Sequence, residues 1–196
     1  MSMTSRERVQ TVLNHEIPDR VPIIIGVSNA TGIKIRPYRG LLKLMNLQIE
    51  EKYIYDWPEL GTALPDERVM QRLHSDVRGV LDRFPQEVYM RNQSRPPHTP
   101  FIDDWGGGQM EIAPEEWFPG IAPIPDATTV DVLENYPWPN MDDPYRVAHV
   151  RAQAQQLHND NQYAIMATPW LMFPFERAFE MQGMEKFLMN LAMEPD

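Results

Sequence analysis

Leu73-His74-Ser75-Asp76-Val77-Arg78-Gly79-Val80-Leu81-Asp82-Arg83-Phe84-Pro85 reads as a helix end, a short strand carrying ionisable groups, and an exit into a proline-marked loop. The helix before it opens at Pro65-Asp66-Glu67. Residues two apart on a strand face the same way, so Asp76 and Arg78 are expected on one face. At a barrel mouth or a sheet-edge crevice they are the best candidates in the chain for a functional pair. The alternative is an ion pair at a strand end, which uses the same residue types.

Two further runs read as buried strands. Val21-Pro22-Ile23-Ile24-Ile25-Gly26 is continuously apolar and β-branched, which suits a strand covered on both faces. The small polar loop Val27-Ser28-Asn29-Ala30-Thr31 follows it, where substrates sit in a βα architecture. Tyr163-Ala164-Ile165-Met166-Ala167 is the third strand and ends in Thr168-Pro169-Trp170, with Trp170 either a pocket wall or a core plug.

Helices fall between these strands. Thr4-Ser5-Arg6-Glu7 has the spacing of a capping box, opening a helix that ends near His15. A second runs from Tyr38 to about Leu47 and buries Leu41, Leu42, Leu44 and Met45; a third covers roughly 66–73. Pro144 to about Asn159 is a clear helix, and 173–181 and 184–193 are two more, before the chain stops at Glu194-Pro195-Asp196. Alternating helices and strands favour an α/β fold.

Residues 86–125 break the pattern. Val88-Tyr89-Met90, Phe101-Ile102 and Gln109-Met110-Glu111-Ile112 are strand-like pieces, and Trp105-Gly106-Gly107-Gly108 marks a tight turn. The expectation is a β-hairpin insertion. Asp103 and Asp104 belong to a solvated turn or reach toward a site, and Ala127 to Leu133 form a short helical turn. Glu176 and Arg177 read as helix-start electrostatics or an interface.

Composition excludes several classes of function. With 18 basic against 28 acidic side chains the net charge is −10, which repels nucleic acid and anionic membranes alike. The chain has no Cys, hence no disulfide framework, thiol nucleophile or thiolate zinc site. Its five His show no ligand spacing, so no metal site is expected. The polar stretch from Met1 to His15 does not resemble a signal peptide, and a soluble cytoplasmic protein is expected. A full (β/α)₈ barrel needs roughly 250 residues, so 196 residues are expected to be a piece of a longer barrel.

Several stretches carry a resemblance together: Thr4 to Val9, Leu13 to Pro22, Ala30-Thr31-Gly32-Ile33, Leu73 to Pro85, Asp103-Asp104-Trp105-Gly106, Tyr136-Pro137-Trp138-Pro139, Phe175-Glu176-Arg177-Ala178 and Gly183 to Leu188. In this order the chain resembles the uroporphyrinogen decarboxylase superfamily, in its branch of decarboxylase-like and corrinoid-dependent methyltransferase-like proteins. All 196 residues are covered, and they correspond to the family's N-terminal half. The resemblance implies one domain over 1–196, a partial TIM (β/α)₈ barrel with the hairpin at about 86–125 inserted.

It also implies a catalytic and substrate-binding role for Asp76, because Ser75-Asp76-Val77 looks like the family segment whose Asp binds the pyrrole N–H groups of the substrate. Arg78 and Trp170 join it as substrate-binding candidates. Two departures stand out: residues 27–32 hold no arginine where the decarboxylases use two to grip substrate carboxylates, and Phe175 stands where a Tyr is expected. The implied function is a decarboxylase-like or methyltransferase-like enzyme acting on a small molecule, incomplete in this chain. Authentic uroporphyrinogen decarboxylase is one alternative, and a non-catalytic fragment or binding module is another. No cofactor is expected in this chain. Zinc or a corrinoid partner is implied for a full-length protein of the methyltransferase branch, whose zinc ligands are a His-x-Cys pair and a later Cys. The implied partners are the missing C-terminal half-barrel and a homodimer mate or corrinoid protein.

Overall fold

A computed structural model of the chain describes residues 2–96, 98–126, 129–170 and 174–193. In chain order the elements are α1 (Ser5–Leu13), β1 (Ile33–Lys34), α2 (Ile35–Leu44), β2 (Thr62–Ala63), α3 (Glu67–Arg72), β3 (Val77–Leu81), α4 (Gln86–Gln93), β4 (Phe101–Ile102), β5 (Gly108–Ala113), β6 (Glu116–Ile121), α5 (Val130–Glu134), α6 (Val150–Asp160), β7 (Ala164–Thr168), α7 (Pro174–Gln182) and α8 (Met184–Met193). The fold is mixed α/β, with three small sheets and no closed barrel among the described residues. The chain divides into two compact units, Met1–Arg83 with Val147–Trp170, and Phe84–Arg146 with Leu171–Asp196.

The first unit is built on a parallel pair of strands. β3 and β7 run in register from Val77 opposite Ala164 to Leu81 opposite Thr168, and α6 packs against both. α1 opens as its sequence dictates: the Thr4 side chain accepts from the Glu7 N–H, and the Glu7 carboxylate accepts from the Thr4 N–H. A core of Ile35, Tyr38, Leu42, Ala63 and Val69 lies under α2 and α3, and β1 and β2 pair antiparallel beside it.

Four expectations need correction here. Residues 21–25 are not a strand, although they run beside the start of β3. Pro22 has no N–H to give, and the N–H groups of Ile23 and Ile25 donate to the side chains of Asp76 and Ser75 instead of to a ladder. Val21 is 79% exposed, so the run is not covered on both faces. α2 starts three residues early and turns Leu44 outward, 88% exposed, because Leu42 and Tyr38 take the inner face. β7 is only half-buried, and the helix expected from Pro144 splits into a single 3₁₀ turn at Pro144–Arg146 and α6.

The second unit holds an antiparallel meander, β4-β5-β6, whose central hairpin pairs Met110 with Phe118 and Glu111 with Trp117. Gly106, at φ +77°, makes the tight turn into it, a conformation that favours glycine. The strand piece expected at Val88-Tyr89-Met90 is instead the middle of α4. Val88 and Asn92, one turn apart, both face inward, and the Asn92 amide donates to the Ile102 carbonyl while accepting the Ile102 N–H. Phe84, Val88 and Phe101 form the core there, with the Phe84 and Phe101 rings 5.7 Å apart. The helical turn expected at Ala127 to Leu133 is α5 at Val130–Glu134; Ala127 and Thr128 lie outside the described residues, as do Phe173 and Glu194-Pro195-Asp196.

Candidate functional site

Asp76 lies immediately before β3, at the N-terminal end of the parallel pair, and is fully buried. Its Oδ1 accepts from Arg8 Nη1 at 2.6 Å and Arg20 Nη2 at 2.8 Å, and its Oδ2 from Arg20 Nη1 and the Ile23 N–H, both at 2.8 Å. Arg8 also grips Asp19, Nε to Oδ1 at 2.6 Å and Nη2 to Oδ2 at 3.0 Å. Two cations and two anions therefore cancel. Burial pushes the Asp76 carboxyl up, but the Ile23 N–H, the Ser5 hydroxyl and the two arginines together hold it below the usual range.

Arg78 is also buried, and it does not meet Asp76. Its guanidinium forks onto Glu67 at 2.7 and 2.8 Å, donates to the Ser75 and Val77 carbonyls, and stacks on Tyr163 with 3.5 Å to the ring centroid. Both side chains spend their hydrogen-bonding capacity inside the protein. Their geometry is that of ion-pair anchors tying β3 to α1, to the 20–23 segment and to α3.

The opposite end of the parallel pair gathers different chemistry. Thr168 Oγ1, at the end of β7, donates to the Val27 carbonyl at 2.8 Å, and the Trp170 N–H donates to Asp82 Oδ1 at 2.8 Å across the end of β3. Trp170 is half-buried and stands edge-on to Tyr55 and Trp57, with ring centroids 5.2 and 5.3 Å away. The Tyr55 hydroxyl donates to the Thr168 carbonyl at 2.8 Å; burial, reinforced by the Asp82 charge, pushes its pKa far up and keeps it a donor. The 27–31 loop is held by Ser28 and Thr31, whose hydroxyls bond each other and take each other's backbone N–H. Asn29 accepts from Thr62 Oγ1 at 2.6 Å.

His149 completes this end. Its Nε2 lies 2.8 Å from the Leu81 carbonyl, which can only accept, so Nε2 is the donor. Its Nδ1 is buried without a hydrogen-bond partner among the described residues. An aromatic wall, a carboxylate and fixed hydroxyls can hold a flat, N–H-bearing small molecule. A separate groove of about 390 Å³, lined by residues including Lys52, Pro65, Asp66 and Arg68, shares none of these groups.

The second unit has its own cluster. Asp103 and Asp104, expected in a solvated turn or reaching toward a site, have largely buried side chains: Asp104 pairs with Arg146, and Asp103 with Arg177 at 3.1 Å. Arg177 also reaches Glu180 at 3.3 Å and lies over the Trp105 ring. Among the described residues no group of three or more His, Asp or Glu side chains is arranged to hold a metal ion.

Of the residues singled out in the sequence, Trp170 and the 27–31 loop meet at the strand ends, whereas Asp76 and Arg78 sit at the other end. Asp82, Tyr55, Trp57 and His149 were not singled out, although Asp82 could have been found as the carboxylate leaving β3. Comparison with protein-family models, with curated proteins and with solved structures found no match.

Proposed function

We propose that the first unit is part of a TIM (β/α)₈ barrel of a uroporphyrinogen decarboxylase-like enzyme, decarboxylase-like or methyltransferase-like, that binds a small molecule at the C-terminal ends of β3 and β7. The observation that carries this reading is the convergence of Asp82, Thr168, Trp170, Tyr55 and the 27–31 loop at that one end of a parallel strand pair. In α/β enzymes with parallel strands, sites form at this end, because the connecting loops there vary independently of the scaffold.

In this reading Asp82 accepts N–H bonds from the ligand, Trp170, backed by the buried Trp57, walls its flat face, and the Ser28 and Thr31 hydroxyls line the rim. Authentic uroporphyrinogen decarboxylation is the less favoured form, since residues 27–32 offer no arginine to hold a polycarboxylate. The chain has no Cys, so it does not supply the thiolate zinc set of the methyltransferase branch, and no step is assigned to zinc or a corrinoid.

The five Trp indole N–H signals of the ¹⁵N-labelled chain test this reading, with pyrrole-2-carboxylate and uroporphyrin as probes. Binding should move Trp57 and Trp170, leave Trp105, Trp117 and Trp138 in place, and weaken about tenfold or more in Asp82→Asn. Shifts confined to the second unit's tryptophans, or none at all, would overturn it.

A further inference from the structure

Arg177 on α7 is nine-tenths buried and faces two carboxylates, Asp103 Oδ2 at 3.1 Å and Glu180 Oε2 at 3.3 Å. Both acids are buried as deeply, with side chains 5% and 10% exposed. The other Asp103 oxygen, Oδ1, accepts the backbone N–H groups of Trp105 at 2.9 Å and Gly107 at 3.0 Å. One cation is thus set against two acids, in surroundings where an uncompensated charge is costly.

The other charges nearby do not supply the missing cation. Asp104 is matched by Arg146, Lys186 on α8 reaches Asp126, and Arg91 on α4 donates to the Ile102 and Asp103 backbone carbonyls and not to either carboxylate. Glu176 on α7 adds negative charge, whereas Glu116, the one titratable residue of β6, and Glu185 on α8, the elements against which α7 packs, are exposed. Tyr136 contributes only a hydroxyl, which donates to the Trp105 carbonyl.

We propose that Asp103, Arg177 and Glu180 form a pH-sensitive latch: with one proton held between the two carboxylates the trio is neutral and fixes α7 to the turn after β4, and loss of that proton to water leaves a buried net negative charge that loosens α7. The bond broken is a carboxylic O–H, and no other reactant is needed. Burial pushes both acids upward, Glu180 to about 7, with Arg177 pulling down and Asp103 and Glu176 pushing further up. A carboxyl whose pKa is raised by folding favours the closed state below its unfolded value, near 4.5, and that advantage fades as pH rises through 7.

Amide hydrogen exchange of residues 176–182, expressed as protection factors, tests the latch. Between pH 6 and pH 8 the closed-state advantage falls about tenfold by linkage from a folded value of about 7 and an unfolded value of 4.5, so protection in the wild type should fall about tenfold. Glu180→Gln cannot ionise and should show no such fall. Asp103→Asn leaves Glu180 and Arg177 as a neutral pair and should also be flat, which provides a second reading should the Gln variant fail to fold. A ¹³C titration of the Glu180 carboxyl in the wild type should centre near 7. Constant wild-type protection, a fall that persists in either variant, or a Glu180 midpoint below about 5 would each overturn the proposal.

Discussion

Arg20 and Asp76 meet in a two-pronged ion pair, Nη1 to Oδ2 and Nη2 to Oδ1, both at 2.8 Å, at the buried end of the parallel strand pair. The pair closes over the backbone N–H of Ile23, which also donates to Asp76. A single carboxylate therefore joins β3, the 20–23 segment and, through Arg8, the helix α1.

Asp76→Asn should be a stability mutant. It leaves Arg8 and Arg20 without their shared anion, and removing one partner of a buried pair costs about 3 kcal/mol. For a chain of this size that lowers the thermal midpoint by roughly 6–12 °C. Arg20 is 38% exposed, so Arg20→Ala should cost less, about 1 kcal/mol. Differential scanning calorimetry on the two variants checks the order.

Acid should unlock the same end of the fold. The Asp76 carboxyl lies below its ordinary value of 3.8 for the reasons given above, and Asp19 is held far below that same ordinary value, by the Arg8 guanidinium first and the Met3 N–H second. Carboxyls depressed by folding stabilise the native state above their unfolded pKa, and that contribution is lost as pH falls through the folded values. Wild-type thermal midpoints should drop steeply below about pH 4, whereas Asp76→Asn should show a shallower drop over the same range.

Gly79→Ala tests the path of the chain beside β3. An added Cβ would sit 2.7 Å from the Val27 carbonyl oxygen and 3.1 Å from its Cα, both backbone atoms that cannot step aside cheaply. Overpacking of this kind costs about 2 kcal/mol. It should also move the Ser28 and Thr31 amide signals, because the 27–31 loop must shift with Val27; unchanged signals would mean that the loop is not held against β3.

What was legible in the sequence was local. The capping box at Thr4 and Glu7 and the strands at 77–81 and 164–168 follow from spacing within a few residues. Ile23-Ile24-Ile25 misled because its N–H groups are taken by Ser75 and Asp76, some fifty positions away. Val88-Tyr89-Met90 misled because three adjacent apolar residues fit a strand, whereas the deciding contact, Asn92 to Ile102, is made through an amide. At the site, Trp170 was legible as a strand-end aromatic; Tyr55 was not, since it lies in an irregular segment at φ +59° and bonds to a residue 113 positions on. Asp103 and Arg177 are 74 residues apart, and no local pattern joins them. The resemblance directed attention to Asp76 by the Ser-Asp pattern, and burial then distinguished it from Asp82.

The most direct measurement compares Asp76→Asn with Asp82→Asn on two readouts, the thermal midpoint and the shift of the Trp170 indole N–H on adding pyrrole-2-carboxylate. Asp82→Asn should keep its midpoint within roughly 3 °C of the wild type, since Asn still accepts from the Trp170 N–H, yet lose most of the ligand shift. Asp76→Asn should melt earlier by roughly 6–12 °C and, below its melting range, keep the shift. The reverse pattern, with ligand binding lost in Asp76→Asn at an unchanged midpoint and retained in Asp82→Asn, would contradict a site at the C-terminal ends of β3 and β7.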